Sequence, residues 1–541
     1  MHRAFLLLAL AACAGSPPPQ HAATAPVHVQ LLALNDFHGN LEPPSGTVRL
    51  PDGTVPAGGG AWLAAHVAKL RAEEPDTLVV GAGDLIGASP LPSALTHDEP
   101  SIAVMDALGL DVSSVGNHEF DEGADELLRL QRGGCRADDP QCKPPGFPGA
   151  HFTYLAANVS DRNGNTFLPA TALKKVGGAT IGFIGVVLRE TPSVVTPSGI
   201  AGLTFGDEAD AVNAAVPKLR QAGADAIVVL IHQGGAQAPG SPPGECRGLT
   251  GPLVDIAQRF RGVDVIVSGH THQTYVCSDL GGALTTSAGA FGRFLTRIEL
   301  DLDPVQHRVL ARKATQVAVM HDIAPDARAK AIVDRAVADA APLAGKRVGR
   351  LAVGLSRKAS EAGESSLGSV VADAHLAVTR KSGAAIAFTN SGGLRADLPA
   401  GDVTYAQAFA AQPFGNTLVT FTLTGAQLTA ALEQQWLGSR PKILQPSASV
   451  SYAWSVSAAP GSRVIPGSLK MDGRPLASDA RVRLTVNSFL AAGGDGFTVF
   501  AEGTDRVVGP PDLEALVEYL RPTLDGAPLA KPTGPRITQS P

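Results

Sequence analysis

The sequence predicts an α/β protein built as two domains, on three observations. Its 541 residues exceed what one hydrophobic core usually supports. Hydrophobic residues make up 44% of the chain and charged residues 17%, which is ordinary globular composition with ample material for large cores. From residue 27 onward, short apolar runs of strand length alternate with stretches of helical periodicity, as in sheets connected through helices. The net charge of -6 and the lack of any Lys/Arg run offer no basic face to a nucleic acid polymer, so small molecules are the expected partners.

Residues 1–26 read as processing signals and a tether rather than as fold. MHR is a short cationic start, AFLLLALAA is an apolar run too short to span a bilayer, and LAAC places Cys13 after small residues. This resembles the lipobox of bacterial lipoproteins, which implies cleavage before Cys13 and a lipid on its sulfur. A simple secretory signal cut between residues 12 and 25 is the alternative. Either way the chain is expected to be exported, as a periplasmic, membrane-anchored or secreted protein whose only membrane contact is an anchor at Cys13. SPPPQHAATAP, rich in Pro and Ala, suits a stiff extended tether.

Cysteine usage agrees with export. Of five cysteines, removing Cys13 leaves Cys135, Cys142, Cys246 and Cys277, an even number where disulfides are permitted. Cys135 and Cys142 flank a Pro-rich loop and are close enough in sequence to bridge it, and Cys246 and Cys277 then pair by elimination. Four thiolates on a zinc ion are the alternative, but the paired C-x2-C hooks of such sites are missing.

Five apolar runs end in residues that bind metals. VQLLAL leads to Asn35, Asp36 and His38; TLVVGAG to Asp84; DVSSVG to Asn117 and His118; AIVVLI to His232; and VDVIVSG to His270 and His272. The carboxyl ends of strands are where α/β sheets assemble sites, because the loops there converge on one crevice. A single His or Asp near a turn is commonplace, whereas five runs with the same ending are not. Carboxylate, imidazole and amide oxygen together suit zinc, manganese or iron rather than calcium, which wants oxygen alone. The ligands are too many for one ion, and two ions about 3.5 to 4 Å apart would use them all, with one carboxylate shared. Asp84 is the natural bridge.

DFHGN, GAGDLIGAS, GNHEFDEG, IHQGG and GHTHQ, in this order, resemble the five motifs of the calcineurin-like metallophosphoesterases in the form found in the 5'-nucleotidase family. The resemblance implies a four-layer β-sandwich flanked by helices over residues 27–320, with one divalent ion (zinc, manganese or similar) on Asp36, His38, Asp84 and His272. A second ion would be held by Asp84, Asn117, His232 and His270. GHTHQ carries His272 where some relatives place Gln. His118 and Asp121 match the catalytic dyad of the family, with the imidazole on the phosphoryl group and Asp121 orienting it and raising its pKa. Glu119 receives no role and is expected at the surface or behind the ligands. Paired dications lower the pKa of water and neutralise phosphate oxygens, so in-line attack needs no protein nucleophile, and no G-x-S-x-G elbow is present.

Residues 321–346 read as a linker helix, 347–525 as a second α/β unit and 526–541 as an extended tail. TNSGGLRADLP, AQPFGNTLVTFTLTG and VNSFLAAGGDGFTVF resemble the nucleotide-recognition domain of the same family. The resemblance implies that Asn390 and Arg395 contact the ligand, Phe414 and Phe489 sandwich the base, and Asp495 accepts ribose hydroxyls. Aromatic faces bind any base, a guanidinium suits phosphate, and a carboxylate accepts neighbouring hydroxyls. Gly363 stands where many relatives carry Arg, with Arg357 nearby in sequence. The expected function is an exported dimetal 5'-nucleotidase. The alternatives are a 2',3'-cyclic-nucleotide phosphodiesterase with 3'-nucleotidase activity, a UDP-sugar hydrolase, or a nucleotide-capturing surface protein without turnover.

Overall fold

A computed structural model describes residues 26–140, 142–438 and 440–541. The signal-like start and Cys13 lie outside the described residues. The five site-bearing runs form strands β1 (Val27–Leu34), β2 (Thr77–Ala82), β3 (Val112–Ser114), β4 (Ala226–His232) and β5 (Val265–Ser268). They belong to two six-stranded sheets. In the first, β1 runs parallel to β2 and β2 to β3, with Leu32 opposite Val79 and Val80 opposite Val112; Phe294–Asp303 pairs antiparallel on the other side of β1. In the second, β4 lies parallel to β5 and to Ala179–Val187.

The side-chain alternation of these strands builds the layers. Val29, Leu31 and Ala33 of β1 and Val80 of β2 meet Val228 and Leu230 of β4 and Val265 of β5 in a core between the sheets. Leu32, Leu34 and Val79 face the other way, against helices α1 (Gly60–Glu73) and α2 (Glu99–Leu108). Val229 and Ile231 face α3 (Glu208–Gln221) and α4 (Pro252–Arg259). Strands covered on both faces must be apolar throughout, which is why their sequences read as unbroken hydrophobic runs. The result is a helix–sheet–sheet–helix sandwich, the four-layer class expected.

Helix α5 (Ala327–Ala344) starts at Asp326, whose side chain accepts the Ala329 N–H at 2.8 Å. It is more than a connector, since Ala329, Val333 and Ala336 are buried in the core of α1 and α2. Beyond it, β6 (Ile386–Asn390) and β7 (Arg481–Asn487) are parallel neighbours in a five-stranded sheet, backed by α6 (Ser366–Thr379). The end of the tail is a strand that packs into this unit. Ile537–Ser540 pairs parallel with Val450–Ser455, and buried Arg536 forms an ion pair with Asp373 at 2.7 Å. Glu364 accepts the N–H groups of Arg536 and Ile537 at 2.8 and 3.1 Å. Disulfides join Cys135 to Cys142 and Cys246 to Cys277, the expected pairing. Among the described residues no helix is long and apolar enough to cross a membrane.

Candidate active site

The ends of β1 to β5 converge on one buried cluster. Asp36, His38 and His272 bring a ligand atom each into one group, and Asp84, His232 and His270 form a second. Asp84 also groups with His38 and His118, so its carboxylate lies next to members of both sets. The backbone is bent to achieve this. Asp36, His38, Asp84, His270 and His272 all have left-handed φ, from 46° to 70°. Such φ is uncommon outside glycine and concentrates where surrounding structure imposes it for function. Gly116 precedes Asn117 because a Cβ there would collide with the Asp84 carboxylate.

The hydrogen bonds of the donor set show what it is built to hold. His38 Nδ1 lies 2.9 Å from the Gly87 carbonyl and His232 Nδ1 2.8 Å from the Ala82 carbonyl. Each carbonyl can only accept, so each Nδ1 carries a proton and each ring turns its Nε2 inward. His232 Nε2 then sits 2.9 Å from Asp84 Oδ2, and His38 Nε2 sits 3.1 Å from His272 Nε2. Ring nitrogens crowded against a carboxylate and another imidazole call for positive charge among them, a proton or a cation. Asn117 Oδ1 is likewise buried without a donor. The residues fit divalent cations.

Charges agree with this arrangement. Burial works to lower the His232 pKa, but Asp84 prevails and raises it to about 9; burial likewise opposes ionisation of Asp84, but the charged imidazoles of His232 and His118 outweigh it and hold the carboxyl well below its usual range. Burial also lowers His270, to about 4, keeping it a neutral donor. Asn35 fixes Asp36 from behind: its amide donates to Asp36 Oδ2 at 2.6 Å and to the Gly289 carbonyl at 2.7 Å.

The two residues expected to form a dyad are in contact, with His118 Nδ1 2.7 Å from Asp121 Oδ2. Burial works to lower the His118 pKa, yet Asp121 and Asp84 prevail and raise it. Glu119 is not at the surface. It is buried, and its carboxylate accepts the backbone N–H of Asp84 at 2.9 Å, of Leu85 at 2.8 Å and of Gly116, with the Tyr154 hydroxyl at 3.3 Å. It therefore clips the β2 loop carrying Asp84 to the β3 loop carrying Asn117. Burial first, and then the Asp84 charge, push it up to about 7. Its position inside the motif was the available signal; its partners, being backbone groups, left no mark on the sequence.

The second domain reaches this cluster. Phe414 stacks on His118 with ring centroids 5.7 Å apart and an interplanar angle of 14°, and Arg395 lies 5.8 Å from the Phe414 ring centre. The Arg395 guanidinium is within electrostatic reach of Asp84, Asp121 and Asp36. Asn390 ends β6, where its amide donates to Asp495 Oδ2 at 2.8 Å while its oxygen accepts from Asn487, at the end of β7, at 3.0 Å. Phe489 is half-buried and follows β7, beside Gly494. Phe414 and Phe489 are not in ring contact with each other here; Phe414 stands at the dyad and Phe489 on the Asp495 loop. Sequence reasoning missed Lys442, whose Nζ meets Asp495 Oδ1 at 2.9 Å. Gly363 has φ of 97°, and a Cβ there would strike Ile443, which explains why no Arg occupies that place.

Two family models match: calcineurin-like phosphoesterase over residues 29–274 and the 5'-nucleotidase C-terminal domain over residues 347–502. The chain is 34% identical to Endonuclease YhcR of Bacillus subtilis, over 94% of this chain but only 41% of that protein's length. It is 30% identical to cell wall protein Lmo0130 of Listeria monocytogenes, over 92% of this chain and 68% of that one. The crystal structure of a 5'-nucleotidase precursor from Thermus thermophilus superposes with a TM-score of 0.77 at 28% identity, covering 95% of this chain and 99% of that one. A four-layer sandwich with this strand-end cluster defines a calcineurin-like metallophosphoesterase, a metal-dependent phosphoester hydrolase. Within that class the chain belongs to the 5'-nucleotidase family.

Proposed function

We propose that this chain is an exported 5'-nucleotidase that releases inorganic phosphate from nucleoside 5'-phosphates. The observation that carries the reading is the stacking of Phe414 on His118, with Arg395 beside it, because it brings nucleotide-binding groups of one domain onto the phosphate-handling dyad of the other. In this reading Asp36, His38, Asp84 and His272 hold one divalent ion, and Asp84, Asn117, His232 and His270 the other. When bound, such ions supply an activated water and neutralise phosphate charge. His118, kept protonated by Asp121, donates to a phosphoryl oxygen and stabilises charge developing there. Arg395 clamps the phosphate and Asn390 orients the ligand. Phe414 and Phe489 take the base, which requires the domains to adjust as the nucleotide enters, and Asp495 accepts ribose hydroxyls.

Gly363 favours a second reading, a 2',3'-cyclic phosphodiesterase with 3'-nucleotidase activity, since one phosphate-binding guanidinium is missing from its usual place. Disulfides and a signal-like start support export. The test is release of product, namely phosphate from AMP, a nucleoside monophosphate from 2',3'-cyclic AMP, UMP from a UDP-sugar and p-nitrophenol from bis-p-nitrophenyl phosphate, after stripping metals and restoring zinc or manganese singly. AMP is expected to be the best substrate. A higher kcat/KM on the cyclic ester moves the assignment to the second reading, and no release with any metal moves it to a nucleotide-capturing protein.

A further inference from the structure

We infer that Lys442 builds a subsite for a second phosphate, one carried on the 2'- or 3'-oxygen of the nucleotide's ribose. The inference rests on the proposed nucleotidase reading and names a substrate class for it: nucleoside 5'-phosphates bearing a further phosphate on the sugar.

The argument starts from the Asp495 carboxylate. It lies where the loops after two parallel neighbouring strands converge, the usual crevice of such sheets. One oxygen takes the Asn390 amide at 2.8 Å and the other the Lys442 ammonium at 2.9 Å. A carboxylate that only reads sugar hydroxyls needs no cation. Stability does not explain the pair well either, because the Lys442 side chain is 38% exposed and such ion pairs contribute about 0 to 1 kcal/mol. What the ammonium does change is the net charge at the Asp495 carboxylate. A bare carboxylate repels any anion attached to the sugar, whereas a neutralised one admits it. An ammonium has three donors, and Asp495 uses one. A ribose oxygen hydrogen-bonded to this carboxylate lies within a few ångströms of Nζ, so a phosphate on that oxygen meets the remaining donors directly.

The phosphate could terminate the sugar or continue into another nucleotide, and the test has an arm for each. kcat/KM is measured for AMP, adenosine 3',5'-bisphosphate and the 5'-phosphorylated dinucleotide pApA, in the wild type, Lys442→Met and Lys442→Arg. In Lys442→Met the ratio of bisphosphate to AMP is expected to fall about 5-fold or more, because lost attraction and the unmasked Asp495 charge act together. Lys442→Arg is expected to keep the ratio within about 2-fold. The same loss on pApA identifies a subsite for a continuing strand, and a loss confined to the bisphosphate identifies one for a terminal phosphate. An unchanged ratio on both in Lys442→Met overturns the inference. Calorimetric binding of AMP and the bisphosphate to chelator-treated protein separates the two levels of the argument. A Lys442-dependent binding ratio without turnover would sink the nucleotidase reading alone, and AMP turnover with a Lys442-independent ratio would sink the subsite alone.

Discussion

The two halves of the molecule hold their polar residues by different means. In the N-terminal half Asp36, His38, Asp84, Asn117 and His232 are buried at strand ends, several with left-handed backbone, and Asp36, His38, Asp84 and His232 are held by further hydrogen bonds. In the C-terminal half Arg395, Phe414, Phe489, Lys442 and Asp495 are half-buried on loops and single helical turns. A cluster of like ligands that must share cations tolerates little displacement, so its loops are tied to one another. A surface that accepts a flexible substrate does better with side chains that can adjust. Damage in the first half should therefore remove chemistry on every ester, and damage in the second should discriminate among substrates.

The largest effect is expected at the shared carboxylate. Asp84→Asn removes the charge common to both ligand groups, so metal content after dialysis should fall and hydrolysis should drop by more than about 1,000-fold, read as phosphate from AMP and as p-nitrophenol from bis-p-nitrophenyl phosphate. Wild-type turnover in this variant would refute the two-ion assignment.

Next comes Glu119, which touches no substrate in this reading and acts by holding two ligand loops together. In Glu119→Gln an amide group replaces one accepting oxygen and faces backbone N–H donors, each of which costs about 1 to 3 kcal/mol when left unpaired. Metal affinity and turnover should fall by about 10- to 100-fold, to the same degree on both esters, with a lowered Tm. A loss restricted to AMP would mean that the loops are not coupled in this way.

These two residues also show what the sequence could and could not tell. The candidate ligands stood out because each follows an apolar run that reads as a strand covered on both faces, and the sandwich was legible for the same reason. Glu119 was not, because a carboxylate that binds backbone amides looks like any acidic residue until the loops are folded. The tail was read as extended, but its pairing with Val450–Ser455 depends on a strand more than eighty residues away. Lys442 sits in a loop with no periodicity, and only the fold brings it to Asp495. In Phe414 the motif was visible, yet its position against His118 depends on how the two domains meet.

Phe489→Ala sharpens the contrast from the other side. A base stacked on one face of a half-buried ring contributes roughly 1 to 2 kcal/mol, so kcat/KM for AMP should fall by about 5- to 30-fold. Bis-p-nitrophenyl phosphate has no base to place there and should be hydrolysed at nearly the original rate. Equal losses on the two substrates would make Phe489 a support of the fold.

The smallest effect concerns stability alone and compares two buried carboxyls. Asp512, like Glu119, is pushed up to about 7, in its case by burial, which outweighs its hydrogen bonds to the Leu513 N–H and to Asn416. Glu119 lies against ligand loops whose bound cations would favour its charge. Asp512 has no cation to do the same, so its ionisation is a cost that the C-terminal domain bears on its own. With a folded pKa near 7 and an unfolded value of 3.8, the native state binds the extra proton. The associated stability is present in full below about pH 4, declines as pH rises through the window between the two values and is lost above about pH 7. Asp512→Asn cannot ionise and keeps an oxygen for the Leu513 N–H. Its Tm relative to the wild type should therefore increase between pH 5 and pH 8, by a few degrees for a gain of about 1 kcal/mol. A difference in Tm that is flat across that range would show that Asp512 is already neutral, or already compensated, in the folded domain.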